Sequence, residues 1–333
     1  MNARVRVLHL LGVSDDKQIR VTRLSGDQAR MGFQSMGNVE IRSLVDDDTF
    51  DVASLLVGEV ESEALRLDGF AVVLNAVCDP DTNLGALSVA SKIVDALGVP
   101  VFNDPSKVAG LTRDAVAEAL DGVDGLVVPR TTRIQPSRVR DVVSMATAAG
   151  LALPILVREA GTHGGHKLAL IRGEEDNDLL EQFAFDGRWF YATEFVDTRS
   201  PDGLHRKYRV LVVDGEPVAK HLIASQAWNV HARDRASVVD HPDLRAEDDV
   251  FVSGLPAAME PVFRAMDERL DLDYFGADFG LDEDGAVVLF EANACVRALA
   301  GSATESEIPS HHAATERIRS LVRGRLLTLA GRH

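Results

Sequence analysis

The sequence is poor in cysteine and has no long apolar run. Its two cysteines, Cys78 and Cys295, lack the paired spacing of a zinc site or a disulfide framework. We therefore expect a protein of a reducing compartment and predict the cytoplasm. No stretch approaches the length of a transmembrane helix, and the apolar run within residues 1–13 is too short for a signal peptide. These features predict that no membrane is a partner.

Positive charge is also scarce. The chain of 333 residues has 35 basic and 52 acidic side chains, which gives a formal net charge of −17. Such a charge repels phosphate backbones and anionic membranes, so general nucleic-acid binding is excluded. An acidic protein can still bind a nucleotide through a local basic pocket. Clusters of cations are therefore the informative feature of this sequence.

Alternating strand and helix patterns in the first hundred residues predict a small parallel sheet. Apolar runs at residues 5–11 and 70–77 are typical of buried parallel strands. Apolar residues at helical spacing predict helices over residues 52–67 and 84–97, and Gly98 closes the second one. The polar loop 79–83 follows a strand, where ligands bind in such sheets, although loop chemistry alone also explains it. Residues 12–48 have no clear pattern.

Residues 274–293 predict a hairpin of two strands that carries three oxygen ligands. Asp278 lies on the first strand, whereas Glu291 and Asn293 lie two positions apart on the second and share a face. A buried carboxylate needs a cation, and oxygen-only ligands suit Mg²⁺ or Mn²⁺. The alternative is a surface hairpin whose acids face water. It explains the turn residues 282–285, but not Glu291, which follows five apolar residues.

This hairpin resembles the metal-binding signature of the ATP-grasp superfamily, notably of D-alanine–D-alanine ligases and of the ligases that add glutamate to a ribosomal protein. The first two ligands are 13 positions apart (291 − 278) and the last two are 2 apart (293 − 291). The resemblance implies ATP as a cofactor, with two Mg²⁺ ions (or Mn²⁺ as a substitute) held by Asp278, Glu291 and Asn293. It covers roughly residues 103–301 and rests on four ordered motifs.

The second motif is a strand that ends in Arg158 and continues into a glycine-rich loop. A cation there can reach phosphates, and glycines let backbone N–H groups approach them, although a plain hairpin turn is the alternative. The family usually has lysine where this chain has Arg158 and Arg113, and bidentate arginine still suits phosphate. By resemblance, the residues that bind the phosphates are Arg113, Arg158, Gly161, His163, Gly164 and Gly165.

The third motif is the strand pattern at residues 187–196, which carries Glu194. In the family, such a strand meets adenine through its backbone and the ribose through an acid. The resemblance therefore assigns Glu194, Phe195 and Val196 to the nucleoside. A core strand with one acid at its edge is the alternative for Glu194.

The fourth motif is a predicted hairpin that turns at residues 214–215. Lys207 and Arg209 share one face of its first strand, and Lys220 lies on the second strand. Lysine occurs only six times in the chain, and three of the six fall within or beside the nucleotide motifs. The resemblance assigns Arg209 to the transferring phosphoryl group, Lys207 and Lys220 to the phosphates, and Arg297 to the substrate carboxylate.

The segment 225–249 is polar and ends in a dense charged run. We interpret the charged part as a mobile surface lid, with Asn229 and His231 as further candidates for the site. Apolar residues at helical spacing predict two more helices, over residues 256–270 and 313–329.

These patterns together predict an α/β chain with an α+β ATP-grasp fold. A small parallel N-terminal domain (1–103) precedes two subdomains that clasp the nucleotide (104–190 and 191–333). The predicted activity is an ADP-forming ligase that joins a small-molecule carboxylate, activated as an acyl phosphate, to an amine, with amino acids or a peptide as substrates. A phosphotransferase and a non-catalytic nucleotide-binding protein are the alternatives, and a homodimer is left open.

Overall fold

A computed structural model of the chain describes residues 3–24, 30–58, 67–162, 165, 167–298 and 308–332. The strands, in chain order, are β1 (Val5–Gly12), β2 (Arg20–Leu24), β3 (Arg30–Gln34), β4 (Phe50–Val57), β5 (Val72–Asn75), β6 (Val101–Phe102), β7 (Leu126–Val127), β8 (Thr131–Ile134), β9 (Ile155–Glu159), β10 (Leu168–Ile171), β11 (Phe190–Glu194), β12 (His205–Val213), β13 (Glu216–Ser225), β14 (Tyr274–Leu281) and β15 (Val287–Asn293).

The α-helices lie between these strands and at the end of the chain. They are α1 (Leu84–Leu97), α2 (Pro105–Ala109), α3 (Arg113–Leu120), α4 (Asp141–Ala148), α5 (Arg235–Asp240), α6 (Pro242–Ser253), α7 (Glu260–Leu270) and α8 (Pro309–Leu329). Short 3₁₀ helices occupy Ile41–Leu44, Glu174–Gln182 and Ala232–Asp234. None of the helices in the described ranges is long and apolar enough to span a bilayer.

The N-terminal sheet is parallel, with the order β4-β1-β5-β6. The predicted parallel strands and the helix over residues 84–97 are confirmed, and Gly98 ends that helix in the left-handed region with φ 61°. The predicted helix over residues 52–67 is wrong, because β4 pairs along its whole length with β1. The apolar residues of this segment fit the periodicity of a helix and also that of a strand. Pairing with a neighbouring strand decides in favour of the strand. Residues 59–66 of that prediction lie outside the described ranges.

The second sheet is antiparallel, with the order β10-β9-β11-β8, and it packs on α4 around its own apolar cluster. The predicted strand and return strand around the glycine-rich loop are β9 and β10. β11 crosses the predicted subdomain boundary at residue 190, because it pairs with β8 and β9. The sheet is therefore completed by residues that lie just beyond that boundary.

The third sheet has the order β13-β12-β14-β15-β7 and contains both predicted hairpins. β7 lies in the predicted middle subdomain but pairs parallel with β15. The register shifts between Arg209 and Val210 and between Asp278 and Phe279. Such bulges re-aim side chains, and both occur beside predicted site residues.

The charged segment after residue 231 is not a mobile lid. Its helix α6 packs on β13, and Asp248, which is 2% exposed, accepts a hydrogen bond from the Leu222 backbone N–H at 2.7 Å. Asp248 also pairs with Arg235 at 2.7 Å and with His311 at 2.8 Å. The run looks solvated in sequence because its buried residues in this helix are one acid and two apolar residues, Phe251 and Val252.

Asn103 joins the N-terminal sheet to the third sheet. Its side chain donates to the Tyr274 carbonyl and accepts from the Tyr274 N–H, both at 2.8 Å. Its own carbonyl accepts from Asn75 at 2.9 Å. Because Asn103 is 1% exposed, these bonds replace all contact with water and fix β14 against the end of β5.

Candidate functional site

A cleft of about 1430 Å³ lies where the three larger sheets meet. It is lined by most of the residues that the sequence predicts for the site. The predicted nucleotide residues in its wall are Arg113, Arg158, Gly165, Glu194, Phe195 and Val196. The predicted catalytic and metal residues in its wall are Lys207, Arg209, Arg297, Asp278, Glu291 and Asn293.

The cross-strand register brings the two predicted metal carboxylates together. Asp278 on β14 pairs with Glu291 on β15, and on its other side it pairs with Arg209 on β12. Arg209 binds Asp278 through two hydrogen bonds, Nε to Oδ1 at 2.6 Å and Nη2 to Oδ2 at 2.7 Å. Lys207 Nζ lies 3.4 Å from the same carboxylate. The register that the sequence left open is therefore the one that a shared site requires.

Asp278 is ionised although it is buried. Its burial alone would raise the pKa of the carboxyl group, but Arg209 and Lys207 outweigh burial and hold that pKa at about 2. The side chains of Lys207 and Asp278 are 17% and 7% exposed, so water screens this pair little. Asp278 is thus a charged acceptor at neutral pH for the two cations of β12.

Glu291 is held by a cation from a different element. Arg113, the first residue of α3, donates from Nη2 to Glu291 Oε1 at 2.5 Å. Asn293 Nδ2 donates to the same oxygen at 2.6 Å. The three predicted metal ligands therefore form one continuous polar group that two arginines and one lysine neutralise.

Arg158 is a cation whose surroundings in the described structure disfavour its charge. Burial and the adjacent Arg113 lower the pKa of Arg158 to about 10, so its guanidinium remains charged at neutral pH in an unfavourable place. Its Nε has no hydrogen-bond partner within the described part of the chain. A buried donor left unpaired costs about 1–3 kcal/mol. An anionic ligand in the cleft would satisfy it.

The cleft is positive in a chain that is strongly negative. Its wall contains six cationic side chains (Arg42, Arg113, Arg158, Lys207, Arg209 and Arg297) and four carboxylates (Glu40, Glu194, Asp278 and Glu291), a difference of +2. The whole chain carries −17. Low-dielectric walls strengthen the field of such a group, which attracts polyanions of small size.

Apolar side chains form another part of the cleft wall, which we call the apolar slot. Phe195 lies edge-on to Trp228, with ring centroids 5.9 Å apart, and both residues line the cleft. The Phe195 N–H donates to the Pro154 carbonyl at 3.0 Å, which fixes the chain after β11. Leu156 and Leu289, from two different sheets, form further apolar wall. The apolar slot has the polarity that suits an aromatic ring.

Lys220 is not part of this site, so its predicted contact with phosphate is wrong. The register shift next to Arg209 sets His221, rather than Lys220, opposite that arginine. Lys220 is 1% exposed, and its Nζ donates to Thr315 Oγ1 on α8 at 3.1 Å. The pattern of alternating residues in the sequence could not reveal this bulge, because its cause is the pairing of β12 with β13.

The glycine-rich loop is only partly described. His163 and Gly164 lie outside the described residues. Gly161 adopts φ 74°, and its N–H points to Asp81 Oδ2 at 3.4 Å. Gly165 lines the cleft, and its carbonyl accepts from Asn229 Nδ2 at 3.3 Å. The weaker candidates Asn229 and His231 both line the cleft.

Asp81, in the predicted ligand loop 79–83, bonds to the second sheet. It accepts from the Tyr191 hydroxyl at 2.8 and 2.9 Å and from Arg133 Nη2 at 2.5 Å. Burial, foremost, raises the pKa of Asp81. Neither Tyr191 nor Arg133 stood out in the sequence, because nothing local indicates that distant strands converge on this loop.

The donor set suits a magnesium ion. Two carboxylates and an amide oxygen are hard ligands of the kind that Mg²⁺ and Mn²⁺ prefer. No group of three His, Cys, Asp or Glu side chains that could hold a metal occurs among the described residues. A zinc-type centre therefore finds no support in that part of the chain, whereas Asp278, Glu291 and Asn293 fit an ion shared with phosphate oxygens.

No protein-family model and no curated protein matches the chain. Solved structures match over nearly its full length. D-alanine–D-alanine ligase from Bacillus anthracis complexed with ATP is 12% identical, with a TM-score of 0.56 and 99% of both chains covered. VanG D-Ala:D-Ser ligase from Enterococcus faecalis is also 12% identical, with a TM-score of 0.56 over 98% of this chain and 100% of its own.

A third similar structure is the RimK domain protein ATP-grasp from Sphaerobacter thermophilus. It is 15% identical, with a TM-score of 0.52 over 96% of this chain and 99% of that one. At such identities the likeness shows the fold alone.

Proposed function

The chain has the ATP-grasp fold, and on that premise we propose that it is an ATP- and Mg²⁺-dependent ligase of a carboxylate and an amine. A carboxylate oxygen attacks the γ-phosphorus, the bond to the bridging oxygen breaks, and ADP leaves. The amine nitrogen then attacks the carbonyl carbon of the acyl phosphate. Inorganic phosphate leaves, the nitrogen loses a proton, and an amide remains.

The observation that carries this proposal is the cationic group around Arg158 in the cleft. Arg158 is charged and half-buried, and its buried Nε has no partner in the described residues. Arg113 and Arg209 line the same cleft, and each is bound to a carboxylate. A triphosphate would supply the counter-charge that this group lacks, and the neighbouring apolar slot would take the adenine ring.

Asp278, Glu291 and Asn293 are the residues that would hold magnesium. When bound, the ion would neutralise charge that develops on the phosphates. Arg209 and Lys207 would bind the oxygens of the transferred phosphoryl group, which leaves the carboxylates free to act as ligands. Glu194, Phe195 and Val196 would bind the nucleoside, and Arg297 would bind a substrate carboxylate.

The test is to incubate the protein with ATP, Mg²⁺ and mixtures of amino acids and small peptides, and to measure ADP and phosphate. Hydroxylamine added to the active mixture should trap the acyl phosphate as a hydroxamate. AMP and pyrophosphate as products would contradict the proposal, and a stable phosphorylated product would indicate a phosphotransferase.

Variants of the hairpin sharpen this test. Glu291→Gln should lower turnover by about 10²-fold or more. The substitution removes the negative charge that would hold a magnesium ion, and that ion would stabilise the charge of the transition state. Glu283→Gln, in the turn of the same hairpin, is the matched control and should behave as the parent. Equal activity of both variants would overturn the assignment of Glu291.

A non-catalytic nucleotide-binding protein is the second candidate. One observation favours it, namely that arginines already neutralise both metal carboxylates, with Arg209 on Asp278 and Arg113 on Glu291. Such a protein would bind ATP without releasing ADP, whatever acid and amine are offered. Calorimetric ATP binding with no ADP release would support this candidate over the ligase.

A further inference from the structure

The N-terminal sheet forms one end of the cleft. A buried polar residue, His9, lies there among apolar residues. In the register of β1 and β4, His9 pairs with Ser54 and Leu11 pairs with Leu56. Residues two apart on a strand share a face, so these four side chains lie on one face of the sheet. All four line the cleft.

His9 offers an unsatisfied polar atom to this space. It is 3% exposed, and its Nδ1 lies 3.0 Å from Ser54 Oγ. Its Nε2 has no hydrogen-bond partner among the described residues. Burial, and then the charge of Arg42, lowers the pKa of His9 to about 4, so the ring is neutral at pH 7. A neutral imidazole with one ring nitrogen engaged presents the other as a single hydrogen-bonding atom.

The walls around His9 expose apolar surface. Ile19, Leu56 and Met36 are 42%, 40% and 57% exposed, and all three line the cleft. Large apolar side chains exposed together in a concave site favour an apolar ligand group, since each 100 Å² removed from water contributes about 2.5 kcal/mol. This end of the cleft therefore suits an apolar side chain of a substrate.

A loose ion pair lies at the same end. Arg297 Nη2 is 3.4 Å from Glu40 Oε1, with side chains 64% and 47% exposed. Exposed pairs of this kind contribute little to stability, so both partners can turn to a ligand. A cation and a carboxylate side by side match the carboxylate and the ammonium group of an amino acid.

From these features we propose that the substrate bound at this end is an amino acid or short peptide with a large apolar side chain, recognised by His9 through Nε2. The inference rests on the proposed ligase function and specifies its substrate class. Leu56, Met36 and Ile19 contact the side chain, and His9 Nε2 adds a hydrogen bond to the carboxylate or the ammonium group of the substrate, which are the polar groups that an amino acid such as L-leucine offers. Glycine should be a poor substrate because it leaves the apolar wall exposed to water. Aspartate should be a poor substrate because its side chain would bury a charge against that wall.

The first test compares His9→Gln with His9→Asn. A glutamine amide reaches the position of Nε2, whereas an asparagine amide reaches only that of Nδ1. With L-leucine as substrate and ADP release as the assay, His9→Asn should lower kcat/KM about 10- to 100-fold, whereas His9→Gln stays within about fivefold of the parent. The KM for ATP should be unchanged in both. Equal kcat/KM for L-leucine in the parent and in both variants would overturn the role of His9.

The second test uses the exposed edge of the wall, where a substitution does not threaten folding. Leu56→Ser should lower the ratio of kcat/KM for L-leucine over glycine by roughly threefold or more. Leu179→Ser is the matched control, because Leu179 is 45% exposed and does not line the cleft, and it should leave the ratio unchanged. A parent protein that prefers glycine or L-aspartate to L-leucine would refute the proposed substrate class.

Direct binding separates this inference from the ligase proposal. Calorimetry with L-leucine and a non-hydrolysable ATP analogue needs no turnover. Binding of L-leucine that His9→Asn weakens, without ADP release in any mixture, would support the pocket and reject the ligase. ADP release with charged or small substrates only, unaffected by His9→Asn, would support the ligase and reject the pocket.

Discussion

Replacing Arg158 by methionine should stabilise the ligand-free protein and weaken its binding of ATP. Arg158 is charged and half-buried, and both its desolvation and the charge of Arg113 act against its charged form. Methionine has a similar length and no charge, so it fills the same space without the cost of a buried cation. A residue kept for packing would behave in the opposite way, because its loss would destabilise the fold and leave ATP binding unchanged.

The size of both effects follows from the surroundings of Arg158. Burial and Arg113 lower the pKa of Arg158 to about 10. That displacement from the ordinary value corresponds to about 3 kcal/mol against the charged form. Imperfect packing of the new methionine offsets part of the gain from removing this charge. The free energy of unfolding of Arg158→Met should therefore be about 1–2 kcal/mol higher than that of the parent. Loss of a charge-assisted hydrogen bond to phosphate costs about 1.5–3 kcal/mol, which weakens ATP binding about 10- to 100-fold.

Thermal unfolding with and without ATP and Mg²⁺, and calorimetric titration with ATP, measure the two effects. Arg172→Met is the control, because Arg172 is 59% exposed, belongs to the same part of the chain and pairs with Asp176 at 3.8 Å. It should change neither quantity by more than about 0.5 kcal/mol. If Arg158→Met lowered the melting temperature and left the affinity for ATP intact, the assignment of Arg158 to the phosphates would be refuted.

Three further predictions concern stability. Burial and four nearby carboxylates raise the pKa of Asp267 to about 6, so its favourable contribution is complete below pH 4 and is lost as the pH rises through 6. Asp267→Asn should therefore raise the melting temperature at pH 7 but not at pH 4. Asp248→Asn should cost about 3 kcal/mol in urea unfolding, because a buried arginine loses its partner, whereas Asp249→Asn should be near neutral. Gly276→Ala should cost about 1–3 kcal/mol through overlap with a valine side chain, whereas Gly254→Ala has open space.

The parts of the site that sequence patterns predict are those built from residues close in the chain. The hairpin of β14 and β15 is evident from its turn and alternation, whereas the register that pairs Asp278 with Glu291, which the sequence left open, comes from the structure. The strands on either side of the glycine-rich loop and the hairpin that carries Arg209 were equally clear. Local turn chemistry indicates where such hairpins reverse direction.

The failures arise where distant strands decide the outcome. The sequence of β4 also fits a helix, and only its pairing with β1 makes it a strand. Lys220 points away from the cleft because of a bulge in the pairing of β12 with β13. His9 lies within an apolar strand and gave no signal of its own. Its importance arises only when Ser54, 45 positions away, becomes its neighbour. These contacts join segments that are distant in the chain, so the local patterns of a single sequence do not predict them.

The pairing of β7 with β15 has a consequence for the order of folding. Leu126 pairs with Val287, so 161 positions (287 − 126) separate two adjacent strands. Closing a loop of that length costs conformational entropy that grows with the logarithm of its length, and it slows assembly. During synthesis, the second sheet can form within residues 131–194 while β7 still waits for its partner. The C-terminal sheet therefore closes after the second sheet, and the cleft acquires Asp278 and Glu291 only after most of the chain has left the ribosome.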